Sequence, residues 1–154
     1  MEADFKKVLF LCTGNSCRSQ IAEGFMKKIR NTWRVESAGI NPKGLNPLSA
    51  AVMLEKGIDI SKQKSKNVND FTNNKFDYVI TVCDDAKEKC PYFSGGTNYI
   101  HWSFEDPDLF KGSLKGKINK FRKIRDEIEN KITDFLKSEK IIDIKENEKW
   151  KKKR

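Results

Sequence analysis

The chain reads as a doubly wound α/β domain: a four-stranded parallel sheet in a three-layer arrangement, with helices on both faces. Continuous apolar runs of strand length, "KVLFLC" (Lys7 to Cys12) and "FDYVITVC" (Phe76 to Cys83), suit central parallel strands buried on both sides. Between and after them, apolar residues recur at helical spacing, so strands alternate with helices. Both runs also end in a cysteine, and folds of this class bind ligands beyond the carboxyl ends of their strands.

The elements follow in order. After the first strand, Ile21, Ala22, Phe25, Met26 and Ile29 form an apolar stripe beside Lys27, Lys28 and Arg30, which predicts an amphipathic helix. "RVESAGI", Arg34 to Ile40, supplies a second strand, and Asn41, Pro42, Gly44, Asn46 and Pro47 make a turn-rich loop. Pro47 opens a helix that runs to about Lys56 and closes on Gly57. Ser61 to Asn74 has no clear period and reads as loop with a short helix. After the third strand, Pro91 and "SGG" break the chain before a short strand at Tyr99 to Trp102. Leu114, Ile118, Phe121, Ile124, Ile128, Ile132 and Phe135 then mark a long amphipathic terminal helix.

A chain of 154 residues is the size of one domain. Residues 1–140 are expected to form a single catalytic unit and 141–154 a basic, flexible tail. The net charge of +9 is concentrated there: Lys149, Lys151, Lys152, Lys153 and Arg154 are five of the last six residues. Without them only a mild basic excess is left, so nucleic acid is not an expected partner. A binding module that recruits RNA or protein through the tail is the rival from another class. The hydrophobic fraction of 37%, the charged fraction of 34% and the mean hydropathy of −0.71 fit a soluble domain with a solvated segment. No run is long enough to span a membrane, and Met1 to Lys7 is too short and charged for a signal peptide, so a cytoplasmic monomer is expected. Four cysteines in such a chain point to catalytic or redox use rather than to structural disulfides.

The chemistry concentrates in "CTGNSCRS", Cys12 to Ser19, between the first strand and its helix. A loop of this length can curl so that the amides of Thr13, Gly14, Asn15, Ser16, Cys17 and Arg18 point inward, an anion nest backed by the helix N-terminus. Gly14 and Asn15 tolerate the unusual φ values of such a curl. Arg18 adds a planar fork for two oxygens of a tetrahedral oxyanion. The same field favours a Cys12 thiolate, the nucleophilic form, and Ser19 is placed to donate to that sulfur. The loop therefore binds an oxyanion and attacks it through sulfur.

A second pair, Cys83 and Cys90, is separated by "DDAKEK". If that segment is helical, the two Cα atoms stand roughly 10.5 Å apart at 1.5 Å per residue, whereas a disulfide needs them within about 7 Å. Bridging them requires the segment to unwind or loop out. A zinc site is disfavoured, because Cys-x6-Cys is not a usual ligand spacing and His101 is the sole histidine, with a structural role expected for it.

These residues resemble the thioredoxin-coupled arsenate reductases, which share the fold of the low-molecular-weight protein tyrosine phosphatases. "LCTGNSCRSQIAEG" carries the resemblance first, followed by "SAGI", "GLNP", "GIDIS", "TVCDDAKEKCP", "HWSFEDP" and "RDEI", spread over roughly Val8 to Lys137. The resemblance implies a three-thiol relay with thioredoxin as electron donor and no tightly bound cofactor. Cys12 attacks arsenate, Cys83 attacks the adduct to release arsenite, and Cys90 resolves the disulfide. It also implies that Asp106, in an Asp-Pro step, protonates the leaving oxygen. Some of these reductases bind potassium, and Asn15, Glu23 and Ser37 match three of its positions. The fourth, a carboxylate in the family, is replaced by Lys66 in "KSK", which suggests that the Lys66 ammonium stands in for the ion. The alternative function is a phosphatase acting on phosphotyrosine or small phosphoesters, for which Cys12, Arg18 and Asp106 suffice. Phosphate and arsenate share shape and charge, so residual phosphatase activity is compatible with reduction.

Overall fold

The computed structural model describes residues 5–84 and 90–152. Four strands, β1 (Lys7–Cys12), β2 (Arg34–Gly39), β3 (Phe76–Thr81) and β4 (Gly96–His101), form one parallel sheet in the order β2-β1-β3-β4. The chain passes from β1 to β2 on one side and returns to β3 on the other, so the carboxyl end of β1 lies at the topological switch point.

β1 is apolar from Val8 onward because both of its faces are covered. Val8, Phe10 and Cys12 face the main core with Ile21, Phe25, Met53, Ile124, Ile128 and Ile132, drawn from α1 (Arg18–Ile29), α2 (Pro47–Leu54) and α3 (Leu114–Lys152). Leu9 and Leu11 point the opposite way, against Val68, Phe71, Phe76, Val79 and Phe93, where a short 3-10 helix (Val68–Phe71) forms the third layer. This is the three-layer sheet that the apolar runs predict.

Boundaries differ from expectation in instructive ways. β3 ends at Thr81, so Cys83 lies just beyond the strand, although Val82 N–H still donates to Leu11 O at 2.9 Å. β4 begins at Gly96, earlier than its exposed sequence suggests, because as an edge strand its side chains need not be apolar. Ile29 and Leu114, expected in apolar stripes, are exposed at helix ends, while Leu136 is buried in addition to the expected positions. α2 ends at Leu54, with Gly57 in the left-handed region (φ 75°) and Ile58 N–H donating to Met53 O at 3.1 Å. The helical backbone of α3 passes the 140/141 boundary expected from composition. The behaviour expected of "DDAKEK" falls on residues 85–89 and lies outside the described residues. No helix among the described residues is long and apolar enough to cross a membrane.

α2 and α3 are locked by ion pairs around Glu55. Arg122 donates to it through Nε and Nη2, and the largely buried Arg125 donates through Nη1 to Glu55 and to Val52 O. The Arg122 guanidinium, with Arg125 behind it, holds the Glu55 carboxyl down at about 2, against an ordinary value of 4.5. A depressed carboxyl contributes stability that is fully present above its unfolded pKa and is lost as pH falls through the folded one. Glu55→Gln is therefore expected to lower urea stability at pH 7 and to flatten the loss between pH 4.5 and 2. Parallel wild-type and variant curves across that window would contradict the linkage.

Candidate active site

The loop between β1 and α1 curls tightly enough to aim its groups at one sulfur. Asn15 N–H donates to Cys12 Sγ at 3.2 Å, and Ser19 Oγ lies 2.8 Å from the same sulfur. The curl turns on Asn15, whose φ of 46° is left-handed. Gly14, the other residue expected to take an unusual φ, does not adopt one; it instead leaves room for the stem of Lys43, whose Cδ would stand 3.3 Å from a Cβ at position 14.

The direction of the hydrogen bonds around Asn15 is fixed by who can donate. Its Oδ1 accepts from Lys66 N–H at 2.8 Å, which orients the amide. Its Nδ2 then donates to Ser19 Oγ at 2.7 Å and to Ser37 Oγ at 2.9 Å. Ser19 Oγ, accepting from Asn15, also shares a hydrogen bond with Cys12 Sγ, and Ser37 directs its hydroxyl proton at Glu23. The side chain of Asn15 thus faces the interior, while Thr13, Gly14, Ser16, Cys17 and Arg18 line the cavity above Cys12. That cavity, of about 200 Å³, is closed by Lys43, Asp106, Asp108 and Leu109.

Arg18 is 3% exposed and links the two loops that form the cavity. Its Nη1 donates to Phe104 O at 3.1 Å, and its Nη2 lies 3.7 Å from Asp106 Oδ2. Asp106 also accepts from Asp108 N–H at 3.0 Å, capping the 3-10 turn Pro107–Leu109. The acid loop is tied down further by Lys117 to Asp108 at 3.0 Å and by Lys120 to Glu105 at 2.7 Å. Cys17, although it lines the cavity, is buried, and burial pushes its thiol up to about 12. It remains protonated and serves as a wall.

All four cysteines stand as thiols rather than disulfides. Cys83 is fully buried in the same core cluster as Cys12, and the half-buried Cys90 packs against that cluster. His101 is exposed and shares a 2.6 Å hydrogen bond with Thr81 Oγ1 at the end of the sheet, away from the cavity lining.

Glu23 is 1% exposed, and an uncompensated carboxylate there would cost several kcal/mol. Two ammonium groups answer it: Lys27 Nζ on Oε2, one helical turn along, and Lys66 Nζ at 3.7 Å from Oε1. Lys66 also lies 3.6 Å from Glu36. Asn15, Glu23 and Ser37 do come together, but the approach to the carboxylate is occupied by ammonium groups, so the residues present do not fit a potassium ion. Among the described residues there is no cluster of His, Cys, Asp or Glu suited to a metal.

Fold and site together define a class: the chain belongs to the family whose model is described as low molecular weight phosphotyrosine protein phosphatase, matched over residues 7–147. Within that family it is similar to the arsenate reductase of Oceanobacillus iheyensis, 46% identical over 134 residues that cover 86% of this chain and 96% of that protein. The arsenate reductase of Bacillus subtilis is 44% identical over 136 residues, covering 88% and 98%. Among solved structures, an arsenate reductase in the phosphate binding state superposes with a TM-score of 0.72 at 33% identity, covering 86% of this chain and 98% of that one.

Lys43, Asp108 and Leu109, which line the cavity, fell outside the sequence motifs, and Gly39, although within "SAGI", was not read as a site residue. Gly39 pairs with Cys12 across β1 and β2, and a Cβ there would stand 2.6 Å from Thr13 O and 2.9 Å from Asn15 N. Only the strand register makes its role visible. Because the obstructing atoms are backbone, Gly39→Ala is expected to shift the loop between β1 and α1, costing about 1–3 kcal/mol of stability and weakening phosphate binding at least about tenfold. Titration of the folded variant with inorganic phosphate, showing unchanged affinity, would refute this account of the loop.

Proposed function

We propose that this chain reduces arsenate to arsenite through Cys12, Cys83 and Cys90, with thioredoxin as reductant. The observation that supports the reading is a second thiol pair in the core that holds Cys12: Cys83 shares that cluster, and Cys90 packs on it. A phosphatase needs neither. The names of the relatives above support the same reading.

The steps follow from the placement of the groups. Cys12 sulfur, held by the Ser19 hydroxyl and the Asn15 amide, attacks arsenic, while Arg18 and the loop amides bind the oxygens. Asp106 supplies the proton with which a hydroxyl leaves as water. Cys83 thiolate then attacks Cys12 Sγ; the new S–S bond replaces the S–As bond, whose electron pair passes to arsenic and releases arsenite. Cys90 attacks Cys83 Sγ, freeing Cys12 and leaving a Cys83–Cys90 disulfide for the dithiol of thioredoxin. Since Cys83 is fully buried, the disulfide must come to the surface before a second protein reaches it. In this scheme Lys66, with Lys27, supplies the positive charge that a bound potassium ion would bring to Glu23. We assign the chemistry to residues 1–140 of a cytoplasmic monomer and no catalytic role to the basic residues 141–154.

The test is arsenite release from arsenate with thioredoxin, thioredoxin reductase and NADPH. Turnover is expected to fall at least about a thousandfold in Cys83→Ser and in Cys90→Ser, and to be indifferent to potassium against sodium in the wild type. Absence of arsenite, together with aryl phosphate hydrolysis unaffected by either substitution, would make the chain a phosphatase; activation by potassium would overturn the role given to Lys66.

A further inference from the structure

We propose that Lys43 is a specificity residue of the oxyanion site, meeting the second negative charge of a doubly charged tetrahedral anion bound above Cys12. The proposal rests on the oxyanion reading and adds the charge state that the site selects.

The charges around the cavity do not balance for a dianion without it. Arg18, the cation of the loop, brings one unit of charge, and one of its N–H groups is spent on Phe104 O. Asp108, on the same wall, has its charge answered by Lys117 and a hydrogen bond from Asn46 Nδ2 at 3.1 Å. Among the described residues the cavity lining holds one further cation, Lys43, and no carboxylate is paired with it. A dianion entering above Cys12 therefore meets two cations in the lining, Arg18 and Lys43.

Lys43 is also built to stay at that rim. Its N–H donates to Gly14 O at 2.9 Å, within a strap whose flanking bonds run from Asn41 N–H to Thr13 O and from Asn46 N–H to Ser16 O. Gly44, at φ 87°, turns the chain away directly behind it. The aliphatic stem lies over Gly14, with Cγ and Cδ 3.5 and 3.3 Å from the position a Cβ would take. The stem is thereby covered on one side while the ammonium keeps its water until an anion arrives. The position shapes binding of the anion's charge rather than bond breaking, so its effect belongs in affinity.

The experiment uses the full reduced chain and inorganic phosphate as probe, titrated calorimetrically at one pH where the dianion dominates and at another where the monoanion does. Lys43→Ala is expected to weaken dianion binding about tenfold, the equivalent of one screened charge pair, with a change under about threefold for the monoanion. Lys43→Arg should restore most of the affinity, the salt dependence should be shallower in Lys43→Ala, and melting temperatures should match. Equal dianion affinity in wild type and Lys43→Ala overturns the proposal alone. Failure of the wild-type chain to bind phosphate at either pH overturns both it and the oxyanion reading.

Discussion

The site depends on one polar network, in which Asn15 N–H and Ser19 Oγ both meet Cys12 Sγ. Ser19 Oγ accepts from the Asn15 amide and shares a hydrogen bond with that sulfur, and Asn15 is held by a left-handed backbone and by Lys66 N–H on its side-chain oxygen. Two groups of the loop and helix thereby converge on one sulfur. The price is a buried polar network, which is tolerable only because each member finds a partner.

That requirement explains why so much of the surrounding fold is polar. Glu23, Ser37, Gln20 and Asn15 are buried beneath the nucleophile loop, where an apolar core would be the usual solution. Gln20 donates to Asn15 O and Oδ1 and to Lys64 O, and Ser65 donates to Asn15 O, so the segment before the 3-10 helix is bonded to the loop it supports. At the far end of the chain of hydrogen bonds, Glu23 has its charge balanced by two lysines of the protein itself. The network therefore carries its own cations.

Much of this was legible in the sequence, for identifiable reasons. "KVLFLC" is apolar from Val8 to Cys12 because it is a central strand, and burial on both faces leaves no polar alternation. Cys12, Arg18 and Ser19 lie in one local loop, so the motif itself points to where the cavity forms. Gly39 was illegible as a site residue because its importance comes from register with Cys12, a contact between residues far apart in the chain. Lys43 looked like any loop lysine until its stem was seen against Gly14. The start of β4 was missed because an edge strand carries exposed residues that resemble loop.

The central claim is that the three thiols act in sequence on one oxyanion, and a single turnover exposes it most directly. The fully reduced protein would be mixed with one equivalent of arsenate, with no reductant, quenched by alkylation and its cysteines mapped by mass spectrometry. The account predicts one Cys83–Cys90 disulfide per arsenite formed, with Cys12 and Cys17 recovered as alkylated thiols. Four alkylated thiols with arsenate unchanged, or a disulfide that excludes Cys83, would contradict it.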